Sequence, residues 1–182
     1  MQTVAADFGV EYQPGSVEAP PQFPSYAIQV RFQSERFVEH SLRIRGLSPF
    51  LPLFKTRRQW SDRVMEIETP LFPGYIFCPF DVKHRMPLLS SPGVISIVGA
   101  GKQPLPVDSA ELEAVRAMVS RGIDVQPCSA VPGQMVRIGS GPLKGLQGTL
   151  VQLRGKHRLV IRVSILNRSI SAIVDSAEVV PA

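Results

Sequence analysis

Leu71-Phe-Pro-Gly-Tyr-Ile-Phe-Cys-Pro-Phe80 (LFPGYIFCPF) is the most apolar stretch of the chain and carries four aromatic residues. It reads as a buried central strand entered through a turn at Pro73-Gly74. Upstream, the apolar and aromatic run YAIQVRF from Tyr26 reads as a second strand. Ser34 is placed as an N-cap, with Phe37, Val38, Leu42 and Ile44 roughly on one helical face and Gly46 ending the helix. The prolines of LSPFLPLFK bar that segment from a central strand position. TRRQWSDRVMEIET then reads as a hairpin with a polar turn near Ser61-Asp62. Beyond the apolar strand come a short helix over Val82–Leu89, a strand at VISIV and a helix opening with a capping-box-like Asp108-Ser109-Ala110-Glu111. Leu112, Val115, Met118 and Val119 recur at helical spacing, and Gly122 closes that helix.

The last 52 residues change character. VRI, GTLVQL, RLVIRVSI and SISAIVD are short β-branched runs separated by Gly, Asn and basic turns, the pattern of a small barrel of about five strands. The expected organisation is a disordered tail over 1–24, an α+β domain over 25–121 with an antiparallel sheet flanked by helices, a linker over 122–130, and a small all-β barrel over 131–182. The many β-branched residues and the glycines between 139 and 155 disfavour a helical form of the last domain. It is expected to stay a β-barrel, tethered by 123–130 and free of the first domain.

Charge is unevenly spread. The 182 residues carry a formal net charge of +5. Residues 31–63 hold eight basic groups against three acidic ones, and residues 131–182 hold seven against two. Two such regions suit surfaces that meet phosphates; they are equally what ordinary solvated faces look like, and charge alone leaves both readings open. The sequence has no apolar run long enough for a membrane span and no secretory leader pattern. Its two cysteines, Cys78 and Cys128, lack CxxC spacing and read as reduced buried thiols in a cytoplasmic protein.

Tyr26-Ala-Ile-Gln29, KTRRQWSDR at 55–63, LFPGYIF at 71–77 and PGVI at 92–95 resemble the N-terminal domain of the NusG family of transcription elongation factors. PGQMVRIGSGPLKGLQGTLVQL, with Gly141, Gly145 and Gly148, resembles that family's SH3-like KOW domain. The RQWSDR hairpin and the tail look more like the operon-specialised paralogs, which include RfaH and the antiterminators of polysaccharide operons. Ser25 departs from the tryptophan usual before the tyrosine.

The resemblance implies that the N-terminal domain binds RNA polymerase, at the clamp coiled coil of the largest subunit, through an apolar depression. Matching positions are Gln29, Tyr75, Phe77, Leu112 and Val115. Alternate aromatics on a strand usually face a core, and the resemblance instead points Tyr75 and Phe77 at a partner. It also implies contact with the exposed non-template DNA strand through Arg31, with Arg36 and His40 near it and Arg57 and Arg58 as a second strip; His40 also suits an ordinary surface position. In the barrel, Leu146 and Leu166 match loop tips that meet ribosomal protein S10 or the termination factor Rho. The chain is expected to act as a monomer, away from membranes.

No catalytic or metal-binding pattern is found. His40, His84 and His157 lie far apart, and no P-loop, GxSxG or HExxH is present, so neither an enzyme nor a cofactor is expected. The competing reading is a ribosome-associated KOW protein binding structured RNA; it explains the basic barrel and leaves LFPGYIF unexplained.

Overall fold

A computed structural model describes residues 23–59, 64–128, 133–153 and 156–181. The expected tail, up to residue 22, and the hairpin turn at Ser61-Asp62 lie outside the described residues.

Strand β1 (Ser25–Val30) is the organising element. It leads into α1 (Glu35–Ile44), followed by β2 (Leu53–Gln59), β3 (Val64–Pro70), β4 (Tyr75–Pro79) and, after a second short helix, β5 (Val94–Ile97). β1 sits between β4 and β5 in a three-stranded antiparallel sheet, pairing Ala27 with Phe77 and Gln29 with Tyr75. Its alternate residues serve two cores. Tyr26, Ile28 and Val30 pack with Ile76, Cys78 and Phe80 against Val38 and Leu42 of α1, while Ala27 and Phe77 belong to the other core. Burial on both faces is why YAIQV alternates so little between apolar and polar.

LFPGYIF was expected at the centre of the sheet, and the structure puts its strand, β4, at the edge. The outer rim of β4 is nevertheless covered: Phe50 and Phe77 exchange two backbone hydrogen bonds, of 2.6 and 3.0 Å. A strand buried on both faces and capped along its edge needs the same apolar composition as a central one. The Pro73-Gly74 turn forms as expected, with Gly74 at φ +83°. Its N–H donates to the Glu35 carboxylate at 2.8 Å. Glu35 is a buried residue at the start of α1, so this bond ties the helix to the turn. Ser34 takes the N-cap position without a capping hydrogen bond from its hydroxyl.

β2 and β3 form the expected hairpin. The single helix expected over Val82–Leu89 is two pieces, a 3₁₀ turn at Val82–His84 and α2 at Met86–Leu89, with Pro87 in the first turn of α2. A two-stranded ribbon, β6 (Gly99–Ala100) and β7 (Gln103–Pro104), precedes α3 (Ser109–Ser120). Asp108 caps α3, accepting from the N–H groups of Ala110 and Glu111 at 2.8 and 3.2 Å.

The C-terminal part is a single antiparallel sheet. Its strands are β8 (Val125–Cys128), β9 (Gln134–Ile138), β10 (Gln147–Leu153), β11 (Lys156–Val163), β12 (Arg168–Ile173) and β13 (Val179–Pro181), in the order β13-β9-β10-β11-β12-β8. About five strands were expected; the sixth is β8, drawn from the stretch read as linker. Val125 pairs with Ala172 and is buried in the core, and β8 covers the edge that β12 would otherwise expose. Pro127 is tolerated because β8 is itself an edge strand. Gly148 lies buried on β10, where an added Cβ would come 2.7 Å from the Val160 backbone oxygen.

Candidate functional site

The five residues expected to meet polymerase gather on one side of the N-terminal sheet and on α3. They differ in depth. Gln29 and Tyr75, cross-strand neighbours, are half-buried, and the Ser96 hydroxyl donates to Gln29 Oε1 at 3.1 Å. Phe77 and Val115 are fully buried and Leu112 nearly so. Phe77 makes an edge-on contact with Phe72, ring centroids 5.5 Å apart, and a tilted one with Phe50 at 6.2 Å. These aromatics build the floor of the face, and Tyr75 forms its accessible rim.

The C-terminal domain lies on that rim. The 3₁₀ turn Ser164–Leu166 reaches the start of α3, where the Ser164 N–H donates to Glu111 Oε2 at 2.9 Å and the Ser164 hydroxyl donates to Glu111 Oε1. Arg168 stacks its guanidinium on the Tyr75 ring, 4.9 Å from the centroid, and donates to the Pro73 carbonyl at 3.1 Å. Val163, Ile170 and Val174 share one apolar cluster with Leu112, Val115 and Met118, with Ile165, Leu166 and Leu146 packed against it. The expected free domain is therefore docked. Leu146 and Leu166, expected as projecting tips, are each half-buried in this arrangement. Glu111 is legible in sequence only as part of the opening of α3, and its pairing with Ser164, 53 residues away, leaves no sequence pattern.

The arginines of the other face are only partly gathered. Arg31 is exposed, its backbone N–H held by the Gly93 carbonyl. Arg36 meets Glu68 of the hairpin at 2.8 Å, both side chains about half exposed, and such pairs stabilise by about 1 kcal/mol or less. His40 is exposed on the next turn of α1. Arg57 and Arg58 stand opposite Glu66 and Met65 in the hairpin register, and their side chains lie outside the described residues.

Neither thiol is set up for reaction. Burial pushes the Cys78 thiol up to about 12. Burial also raises Cys128, offset in part by the Ser171 hydrogen bond and by Arg158. A thiol-specific reagent at pH 8 is expected to leave Cys78 unmodified until the protein unfolds; rapid modification in the folded state would contradict its burial. Because the folded thiol titrates above its ordinary 9.0, this burial favours the folded state below about pH 9. That contribution fades as pH climbs towards 12. Among the described residues no group of three or more His, Cys, Asp or Glu could hold a metal, and no helix is long and apolar enough to cross a membrane.

An α+β domain followed by an all-β sheet of this kind is the layout of an N-terminal NusG domain joined to a KOW domain. Residues 25–116 match the model of the family described as "Transcription termination factor nusG", and the chain belongs to that family of transcription termination/antitermination factors. The chain is 28% identical over 130 residues to the transcription termination/antitermination protein NusG of Thermus thermophilus, spanning 64% of this chain and 70% of that one. It is 26% identical over 141 residues to the Deinococcus radiodurans protein of the same name, spanning 66% and 73%. A solved structure described as domain interaction in Thermotoga maritima NusG has the same fold, with a TM-score of 0.50 at 22% identity, over 86% of this chain and 95% of the other.

Proposed function

We propose that this chain is an operon-specialised transcription elongation and antitermination factor that binds RNA polymerase through the face made by Gln29, Tyr75 and α3. The observation that carries this reading is an apolar face that the protein covers with its own second domain. A surface whose floor is Phe77, Leu112 and Val115 suits an amphipathic helical partner such as the clamp coiled coil of the largest subunit. Polymerase and the KOW domain then compete for one surface. Release of the KOW domain would free Leu166 and Leu146 for S10 or Rho, so each partner's binding favours the other's. The sequence of the RQWSDR hairpin supports specialisation to particular operons.

The non-template DNA strand is assigned to Arg31, with Arg36 and His40 of α1 near it and Arg57 and Arg58 of the hairpin as a second strip; Arg36 can exchange its exposed ion pair with Glu68 for a phosphate. The test is capture of purified RNA polymerase by the full chain. Arg31→Ala is expected to leave that capture intact while lowering the salt slope of single-stranded DNA binding by about one unit. Ribosome capture that RNase abolishes, with no polymerase retained, would favour the structured-RNA reading instead.

A further inference from the structure

The outer face of the C-terminal sheet takes no part in docking. Met135, Thr149, Val160, Ser171 and Gln126 stand directly opposite one another across β9, β10, β11, β12 and β8, so they form one row on one face. Side chains two positions along a strand share that face. Arg158 and Arg162 therefore flank the row on β11 and Arg137 on β9, opposite Ile173, Ser169 and Val180 respectively. Val163 and Ile170, which join the apolar cluster of α3, belong to the other face. Met135 is 57% exposed, and Ile173 and Val180 are exposed beside it. In the floor, the Ser169 hydroxyl is buried without a hydrogen-bond partner. Arg158 donates to the Ser171 hydroxyl at 3.2 Å and Arg162 to Asn167 Oδ1. None of the three guanidiniums meets a carboxylate among the described residues. The nearby acids are engaged elsewhere: Asp124 takes the Gln126 amide, Asp175 the Ala177 N–H, and Glu178 lies against Gly141. The N-terminal basic region is compensated by contrast, with Arg36 on Glu68, Arg43 on Glu39 and Lys55 opposite Glu68.

Cations without counter-charge among exposed apolar side chains match a ligand that is both acidic and apolar. Residues 131–182 hold no Phe, Tyr or Trp, so unpaired bases find nothing to stack on here. The chain itself supplies a matching segment. Residues 1–22 carry Asp7, Glu11 and Glu18 and no Lys, Arg or His, with Val4, Phe8, Val10 and Tyr12 among them. We propose that residues 1–22 dock on this face, their carboxylates on Arg137, Arg158 and Arg162 and their apolar side chains on Met135 and Ile173. The reach is ample. The Ser25 carbonyl accepts from the Val107 N–H at 2.8 Å, which starts β1 beside the entry to α3. From there the 12 residues of α3, about 18 Å, and a short loop lead to β8 at the edge of the face. Twenty-two residues span up to about 70 Å when extended. A tethered segment meets its site at about millimolar effective concentration, so contacts too weak to hold a free peptide suffice.

The test is amide NMR on the full chain at low salt, comparing wild type with Asp7→Asn/Glu11→Gln/Glu18→Gln. This variant leaves every residue of the sheet native. Its shift changes are expected at outer-face positions such as Met135, Thr149 and Ser171, and the heteronuclear NOE of residues 4–12 should fall. High salt should produce the same changes in wild type, since exposed charges are screened. Arg158→Glu/Arg162→Glu should likewise lower the NOE of residues 4–12, and adding Asp7→Lys/Glu11→Lys to that variant should restore it. An unchanged sheet in the neutralised variant would overturn the proposal. So would changes that fall on Arg31, Arg36 and the hairpin, which would send the segment to the other basic region. Changes that grow with protein concentration would place it on a second copy and overturn docking within one chain. If the neutralised variant leaves the sheet unchanged while a duplex oligonucleotide shifts the same amides, the face binds nucleic acid and the proposal falls.

Discussion

A full-length chain carrying Glu111→Ala and Arg168→Ala is expected to bind purified RNA polymerase about tenfold more tightly than wild type. Glu111 accepts two hydrogen bonds from Ser164, and Arg168 both stacks on Tyr75 and bonds to the Pro73 carbonyl. These contacts hold the KOW domain over the proposed polymerase face and are absent once it lifts. Partly exposed hydrogen bonds and a cation–π contact of this kind contribute about 0.5–1 kcal/mol each. Losing about 1.4 kcal/mol from the docked state raises the open population about tenfold, and apparent affinity scales with the competent fraction while that fraction is small. Amide hydrogen exchange along β4 and the first turn of α3 should accelerate in parallel. An unchanged affinity together with unchanged exchange would show that docking does not gate the face.

Phe77→Ala is expected to cost about 3–5 kcal/mol of stability, the usual range for a buried Phe truncated to Ala. Phe77 is fully buried, and its ring fills the space between Phe72 and Phe50. Such a loss removes much of a domain's marginal stability and should lower the thermal midpoint by about 10 °C. Thermal unfolding followed by circular dichroism checks it; a shift within a degree or two would mean the ring is not core. The two aromatics of the face thus separate by experiment. Tyr75→Ala should fold and report on the surface, whereas lost polymerase binding in Phe77→Ala would reflect the damaged fold.

Much of this protein was legible residue by residue. The Pro73-Gly74 turn, the hairpin, the Asp108 cap and Gly122 at the end of α3 depend on backbone preferences acting within a few positions. The β-branched runs of the last domain likewise determined its strands, since those side chains lose rotamer freedom in a helix. Gly141 and Gly145, both at positive φ, shape the loop that carries Leu146.

Position within the assembled chain was decided elsewhere. LFPGYIF reads as central because burial on both faces gives a strand one composition, whether its edge is closed by a neighbouring strand or by Phe50. VQPC of β8 reads as linker, since four residues with a proline carry no periodic signal; the open edge of β12 makes them a strand. The docking of the KOW domain had no local trace at all. It rests on Glu111 meeting Ser164 and on Arg168 meeting Tyr75, pairs that only the tertiary fold brings within reach. Local sequence determined which segments are strands, turns and helices. Which edges pair and which surfaces meet depended on complementarity between distant residues, and that exists only once the elements have packed.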